Sequence, residues 1–115
     1  MPLDIGRYKA SSADGGPRAD QIEAIGIDEA GGLWVKPAAL KFPYIYREAT
    51  EVGWDANRLC LTSPKPRVRS HTQWFEQILR AAREQGAILT IATSTSWVNI
   101  DEHLKQAIIE RGTPT

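Results

Sequence analysis

His71 is the first residue in the chain whose type and position invite chemistry. It opens the stretch H-T-Q-W-F-E-Q-I-L-R-A-A-R-E-Q-G, where Trp74, Phe75, Ile78, Leu79 and Ala82 recur at helical spacing and share one apolar face. A histidine on the apolar side of a helix start is favoured in its neutral form, by burial and by the positive end of the helix dipole. Neutral imidazole can act as a general base or accept from a ligand. Glu48 or Asp55 would be its orienting carboxylate. The plainer reading is a first-turn histidine hydrogen-bonded to a nearby loop.

Three further constellations accompany it. Tyr44, Tyr46, Trp54, Trp74 and Trp97 offer broad apolar surfaces with polar handles, suited to pocket walls or interfaces. Trp74 belongs with the core by its spacing. A carboxylate-free segment holds Arg58, Lys65, Arg67 and Arg69, and in extended form it sets the last three on one side, leading to a helix N-terminus that favours anions. T-S-T-S-W, residues 93–97, carries hydroxyls between a strand and a helix, with turn and capping chemistry as the competing account. A ligand site built from Tyr44, Tyr46, Trp54, Arg67, Arg69, His71 and Trp97 is therefore expected at the mouth of the first strong helix.

Other chemistries find no support. His71, His103 and Cys60 are the only His and Cys residues and lack metal-ligand spacing, so neither a metal nor a cofactor is expected. The glycine signatures of dinucleotide, P-loop and hydrolase sites are missing. With 14 basic and 14 acidic residues the chain has no net charge, which argues against nucleic acid as a partner. Residues 1–57 carry a net −3 and residues 58–115 a net +3, an asymmetry that favours pairing of copies. No apolar run is long enough to span a membrane, and nothing at the N-terminus reads as a signal peptide. A cytoplasmic protein follows as the expectation.

The elements that must position these residues are readable in order. Residues 1–19 contain S-S-A-D-G-G-P and read as an arm or edge segment; residues 20–115 read as one domain. Q-I-E-A-I-G-I and L-W-V-K-P flank D-E-A-G-G as a β-hairpin. K-F-P-Y-I-Y-R is an aromatic edge segment interrupted by Pro43. E-V-G-W and R-L-C-L-T-S flank a turn at D-A-N, with Leu59 and Leu61 on one side of the strand. Ser70 and Gln73 form a capping box, and Gly86 ends the helix. Glu76 with Arg80, and Arg80 with Glu84, are spaced to pair on its outer face. A-I-L-T-I-A-T reads as a central buried strand. Asn99 and Glu102 fit a second capping box, for a helix burying Ile100, Leu104, Ala107 and Ile108. Ile109 points away from that face and is the expected contact between copies. The sum is an α+β domain: a mostly antiparallel sheet from N-terminal hairpins, packed by two helices of a C-terminal helix–strand–helix unit.

V-G-W-D, L-C-L-T-S-P, Q-W-F-E-Q-I and T-S-W-V-N-I together resemble small proteins encoded on bacterial integron gene cassettes, over residues 22–109. That resemblance implies a bacterial origin, an α+β domain and a tendency to self-associate, and it supplies no catalytic residue. The leading expectation is a homo-oligomeric binding protein for a small anionic or aromatic ligand. The alternatives are a small enzyme using His71 as acid or base, and an interaction module of the inhibitor or antitoxin type.

Overall fold

The computed structural model describes residues 18–43, 45, 51–64 and 69–112. The strands are β1 (Arg18–Ile27), β2 (Leu33–Pro37), β3 (Gly53–Asp55), β4 (Cys60–Thr62) and β5 (Ala87–Val98); the helices are α1 (His71–Glu84) and α2 (Glu102–Gly112). They form a five-stranded sheet of order β3-β4-β2-β1-β5. Three neighbouring pairs are antiparallel, and β5 runs parallel to β1. With the helices packed against it, this is an α+β fold.

Two rows of register partners describe the sheet. Trp54, Leu61, Val35, Ile25 and Trp97 run across all five strands. Register partners share a face, and this face carries the core: Leu61, Val35 and Ile25 are fully buried, and Trp54 and Trp97 are half-buried at the two ends. Trp74, Phe75, Ile78, Ala81 and Ala82 of α1 join the same core, as does Ile108 of α2. The next row, Gly53, Thr62, Trp34, Gly26 and Val98, lies on the opposite face. There the Trp34 indole lies across Gly26, where a Cβ would meet it at 2.3 Å.

The first hairpin closes as its turn residues dictate. Asp28 Oδ1 accepts the Gly32 amide at 2.9 Å, and Gly31 takes the positive φ of 91° that glycine tolerates without a steric penalty. Gly32 has a tighter constraint, because a Cβ there would sit 2.4 Å from the Ser63 carbonyl oxygen. Ser63 is also held by its amide to the Leu33 carbonyl and by its hydroxyl, which accepts the Leu33 amide. Gly32→Ala is therefore expected to destabilise the fold by about 3 kcal/mol, more than Gly26→Ala, whose obstacle is a half-buried ring that can swing away. Urea unfolding of the two variants gives the comparison, and equal losses would contradict it.

Helix α1 begins where the capping box puts it. Ser70 Oγ accepts the Gln73 amide at 3.3 Å, and Gln73 Oε1 accepts the Ser70 amide at 2.8 Å. It stops at Gln85, with Gly86 at φ 83°. The expected pairs on its outer face are replaced. Arg80 donates to Gln77, and Glu76 instead meets Arg111 at 2.8 Å, because the packing of α2 against α1 brings a second arginine within reach.

Five local expectations are corrected. Strand β5 lies at the sheet edge instead of its centre, since it pairs with β1 alone among the described strands. It also continues through T-S-T-S-W, which the hydroxyl run marked as a loop. Helix α2 is capped by Asp101, whose Oδ1 accepts the Leu104 amide at 2.8 Å, while Asn99 adopts a φ of 57°. Leu59 lies in the β3–β4 turn with a φ of 58°, so it does not share a strand face with Leu61; Cys60 and Leu61 are both buried. The edge position of β5 follows from its return, after α1, to pair in parallel beside β1, which local hydropathy cannot signal. Arg18 and Ala19, assigned to the N-terminal arm, belong to β1; the rest of that arm lies outside the described residues.

Candidate functional site

Strand β5 reaches Trp97 by an unusual route. Ile91 pairs with Ile22 and Ser96 with Ala24, so β5 advances five residues while β1 advances two. The three extra residues bulge outward and are closed by one side chain. The Thr95 hydroxyl donates to the Ile22 carbonyl at 2.6 Å and accepts the Ala92 amide at 2.9 Å. An uninterrupted register would set Trp97 level with Asp28; the bulge sets it beside Ile25. Lys105 of α2 then lies 5.7 Å from the Trp97 ring centroid, within cation–π range. The hydroxyl run thus serves the backbone.

Those of the expected site residues that are described, Trp54, Arg69, His71 and Trp97, do not converge. Trp54 and Trp97 stand at opposite edges of the sheet, four strand spacings or about 19 Å apart, so they cannot wall one pocket. His71 is half-buried, with Nε2 3.0 Å from the Gly31 carbonyl oxygen. A carbonyl only accepts, so Nε2 carries a proton and ties the start of α1 to the first hairpin turn. That is the plainer of the two roles foreseen for it. Arg69 is engaged by Glu51 at 3.1 Å and lies 5.0 Å from the Trp74 ring centroid. Asp55 Oδ1 accepts the Asn57 and Arg58 amides at 3.0 and 3.1 Å, which holds the second turn. Tyr44, Tyr46, Glu48, Lys65 and Arg67 lie outside the described residues. Ile109 is half-buried within the single chain and makes a contact there; it was expected to face solvent.

Nucleophilic chemistry at Cys60 is disfavoured. Burial raises its thiol above the ordinary range, an effect only partly offset by the Arg58 cation, so little thiolate forms near neutrality. Among the described residues no group of three or more His, Cys, Asp or Glu side chains is placed to hold a metal. No described helix is long and apolar enough to cross a membrane.

A cleft does exist, at the other end of α1. It has a volume of about 440 Å³ and is lined by Arg18, residues 39–43 and Gln85. Each wall has a local cause. Asp20 Oδ2 accepts the Ala39 and Leu40 amides at 2.9 and 2.8 Å, which fastens the segment after β2 against the start of β1. Phe42 is buried and meets Trp54 edge to face, with centroids 5.7 Å apart. Gln85 is the C-cap of α1, with its amide on the Ala82 carbonyl, and Gly86 O accepts the Arg18 amide at 2.8 Å. Ala82 O and Arg83 O at this helix end accept the Gln85 and Gly86 amides, and the negative end of the helix dipole favours cations here, which leaves the attraction of an anion to Arg18 and Lys41. Arg18 and Lys41 are exposed at the rim, and neither is ion-paired within the described residues. Since α1 is 14 residues long, this cleft lies about 20 Å from His71.

Sequence reasoning noticed the aromatic segment but not its cationic neighbours. Arg18 and Lys41 lie 23 positions apart in the chain. The only available signal was Asp20, an acid early in a strand, and its amide partners are visible only in three dimensions.

The fold and the cleft define a small α+β protein with an open, cation-rimmed pocket. Residues 20–95 match the family model described as Integron Cassette Protein Hfx_Cass5. The chain belongs to that family, as its resemblance to integron cassette proteins implied. A solved structure described as "Structure from the mobile metagenome of North West Arm Sewage Outfall: Integron Cassette Protein Hfx_Cass5" is 41% identical to it. The match covers 84% of this chain and 98% of that one, with a TM-score of 0.43; the relationship rests on identity and the family match, not on superposition. No curated protein matches the chain.

Proposed function

We propose that this is a cytoplasmic, self-associating protein that binds a small anion with an apolar or aromatic body. The observation that carries the reading is the cleft of about 440 Å³ whose lining joins Arg18 and Lys41 to Leu40 and Pro43. That volume suits a small organic ligand, and pockets of this kind join an apolar surface to a few polar anchors. Arginine supplies a planar fork for a carboxylate, and lysine adds a mobile point charge. Leu40 and Pro43, the apolar lining residues with free surface, supply the apolar contact, above a Phe42 side chain that is itself buried.

Benzoate, its neutral analogue benzamide and inorganic phosphate are suitable probes, with binding followed by backbone NMR shifts. Benzoate is expected to bind most tightly and to move the amides of residues 18 and 39–43. Arg18→Ala combined with Lys41→Ala should weaken it about tenfold, a modest factor because both cations are solvent-screened. Equal affinity for benzamide, or shifts centred on His71 and Arg69, would count against the cleft.

A further inference from the structure

Strand β5 differs in its chemistry from β1 and β2, the other two long strands of the sheet. Its twelve residues, A-I-L-T-I-A-T-S-T-S-W-V, include no charged residue and no proline, whereas β1 carries Arg18, Asp20 and Glu23, and β2 carries Lys36 and Pro37. It nevertheless lies at the sheet edge, hydrogen-bonded to β1 alone among the described strands. Exposed edges are ordinarily protected by charges, prolines, bulges or very short strands, because their unpaired amides and carbonyls template another strand. Here a bulge interrupts residues 92–95, but residues 87–91 remain regular and in register with residues 18–22. Two of the three large apolar side chains exposed on the described surface, Ile88 and Val98 at 40% each, are on this strand.

We infer that the outer edge of residues 87–91 pairs antiparallel with the same residues of a second copy, joining the two sheets. The inference rests on the self-association proposed above and assigns its surface. Three observations favour a second copy over a different partner. An uncharged strand paired with itself sets no like charges opposite each other. The chain has no net charge, so two copies approach without long-range repulsion. A two-fold axis at Leu89 sets each Ile88 opposite the other copy's Thr90, which covers the exposed Ile88 twice over and gives a closed dimer instead of a filament. Leu89 and Ala87 face the core, so the apolar layer beneath the helices continues across the junction.

Light scattering over a concentration series, with hydrogen exchange on the same samples, tests this. The expected result is a dimer in which the amides of residues 87–91 gain protection as concentration rises. Thr90→Lys should weaken dimerisation by at least about tenfold, through like charges at the junction, while Thr93→Lys, on the bulge, should leave it intact. Exchange on the unsubstituted protein keeps the test valid should Thr90→Lys unfold. A dimer whose 87–91 amides exchange at a concentration-independent rate, or one that tolerates folded Thr90→Lys, overturns the edge assignment and leaves self-association standing. A monomer at every concentration overturns both.

Discussion

Phe75→Ala is expected to lower the unfolding free energy by about 4 kcal/mol. The side chain is fully buried, at the meeting point of α1 with the sheet. Truncation removes its transfer free energy and leaves a cavity that the rigid sheet cannot collapse into. Because domains of this size have total stabilities of about 5–15 kcal/mol, the variant should unfold at a far lower urea concentration with little change in slope. Leu79→Ala, one position off the buried face and half-exposed, should cost less than half as much. Equal losses would mean that α1 packs with a rotation different from the one described.

Thr95→Val is expected to cost about 3 kcal/mol despite being isosteric. The hydroxyl bridges the Ile22 carbonyl and the Ala92 amide across the β5 bulge. A methyl group in its place leaves both backbone groups without that partner, and each orphaned group carries a penalty of roughly 1–3 kcal/mol. Thr95→Ser keeps the bridge and should lose only about 1 kcal/mol, for the buried methyl. The decisive measurement is the difference between the two variants in thermal or urea unfolding. If valine is tolerated as well as serine, the bulge is held by something other than this hydroxyl.

The two substitutions probe different levels of legibility. Phe75 was readable because a helix repeats every 3.6 residues, and its apolar positions project onto one face whatever lies opposite. The capping box at Ser70 and Gln73 and the D-E-A-G-G turn were readable for the same reason: every partner lies within four residues. Thr95 was visible as a hydroxyl in a run of hydroxyls, and no more. Its acceptor, Ile22, lies 73 positions away, so strand and loop could not be told apart without the tertiary register.

The same distinction separates the two candidate sites. Arg69 and His71 drew attention because they adjoin a conspicuous helix start, and Trp54 and Trp97 because tryptophan joins a broad apolar surface to a polar handle. In the structure Arg69 meets Glu51, His71 meets Gly31, and the two tryptophans bracket one row of the core. Arg18 and Lys41 gave no such cue. Asp20 fastens the segment holding Lys41 and Phe42 to the start of β1, where Arg18 lies, by accepting the amides of Ala39 and Leu40.

The sequence by itself determined the α+β class, the two hairpins, the limits of α1 and four of the five residues it buries, with Ala81 standing where Leu79 was expected, since periodicity, turn chemistry and capping act over a few residues. Tertiary structure alone decided that β5 runs parallel to β1 at the edge, that Trp54 and Trp97 are separated by the width of the sheet, and that a cationic cleft forms at the C-terminal end of α1. Those outcomes depend on which distant segments become neighbours. That choice is made by burying one shared apolar layer, and many residue pairs contribute to it without any local pattern recording the result.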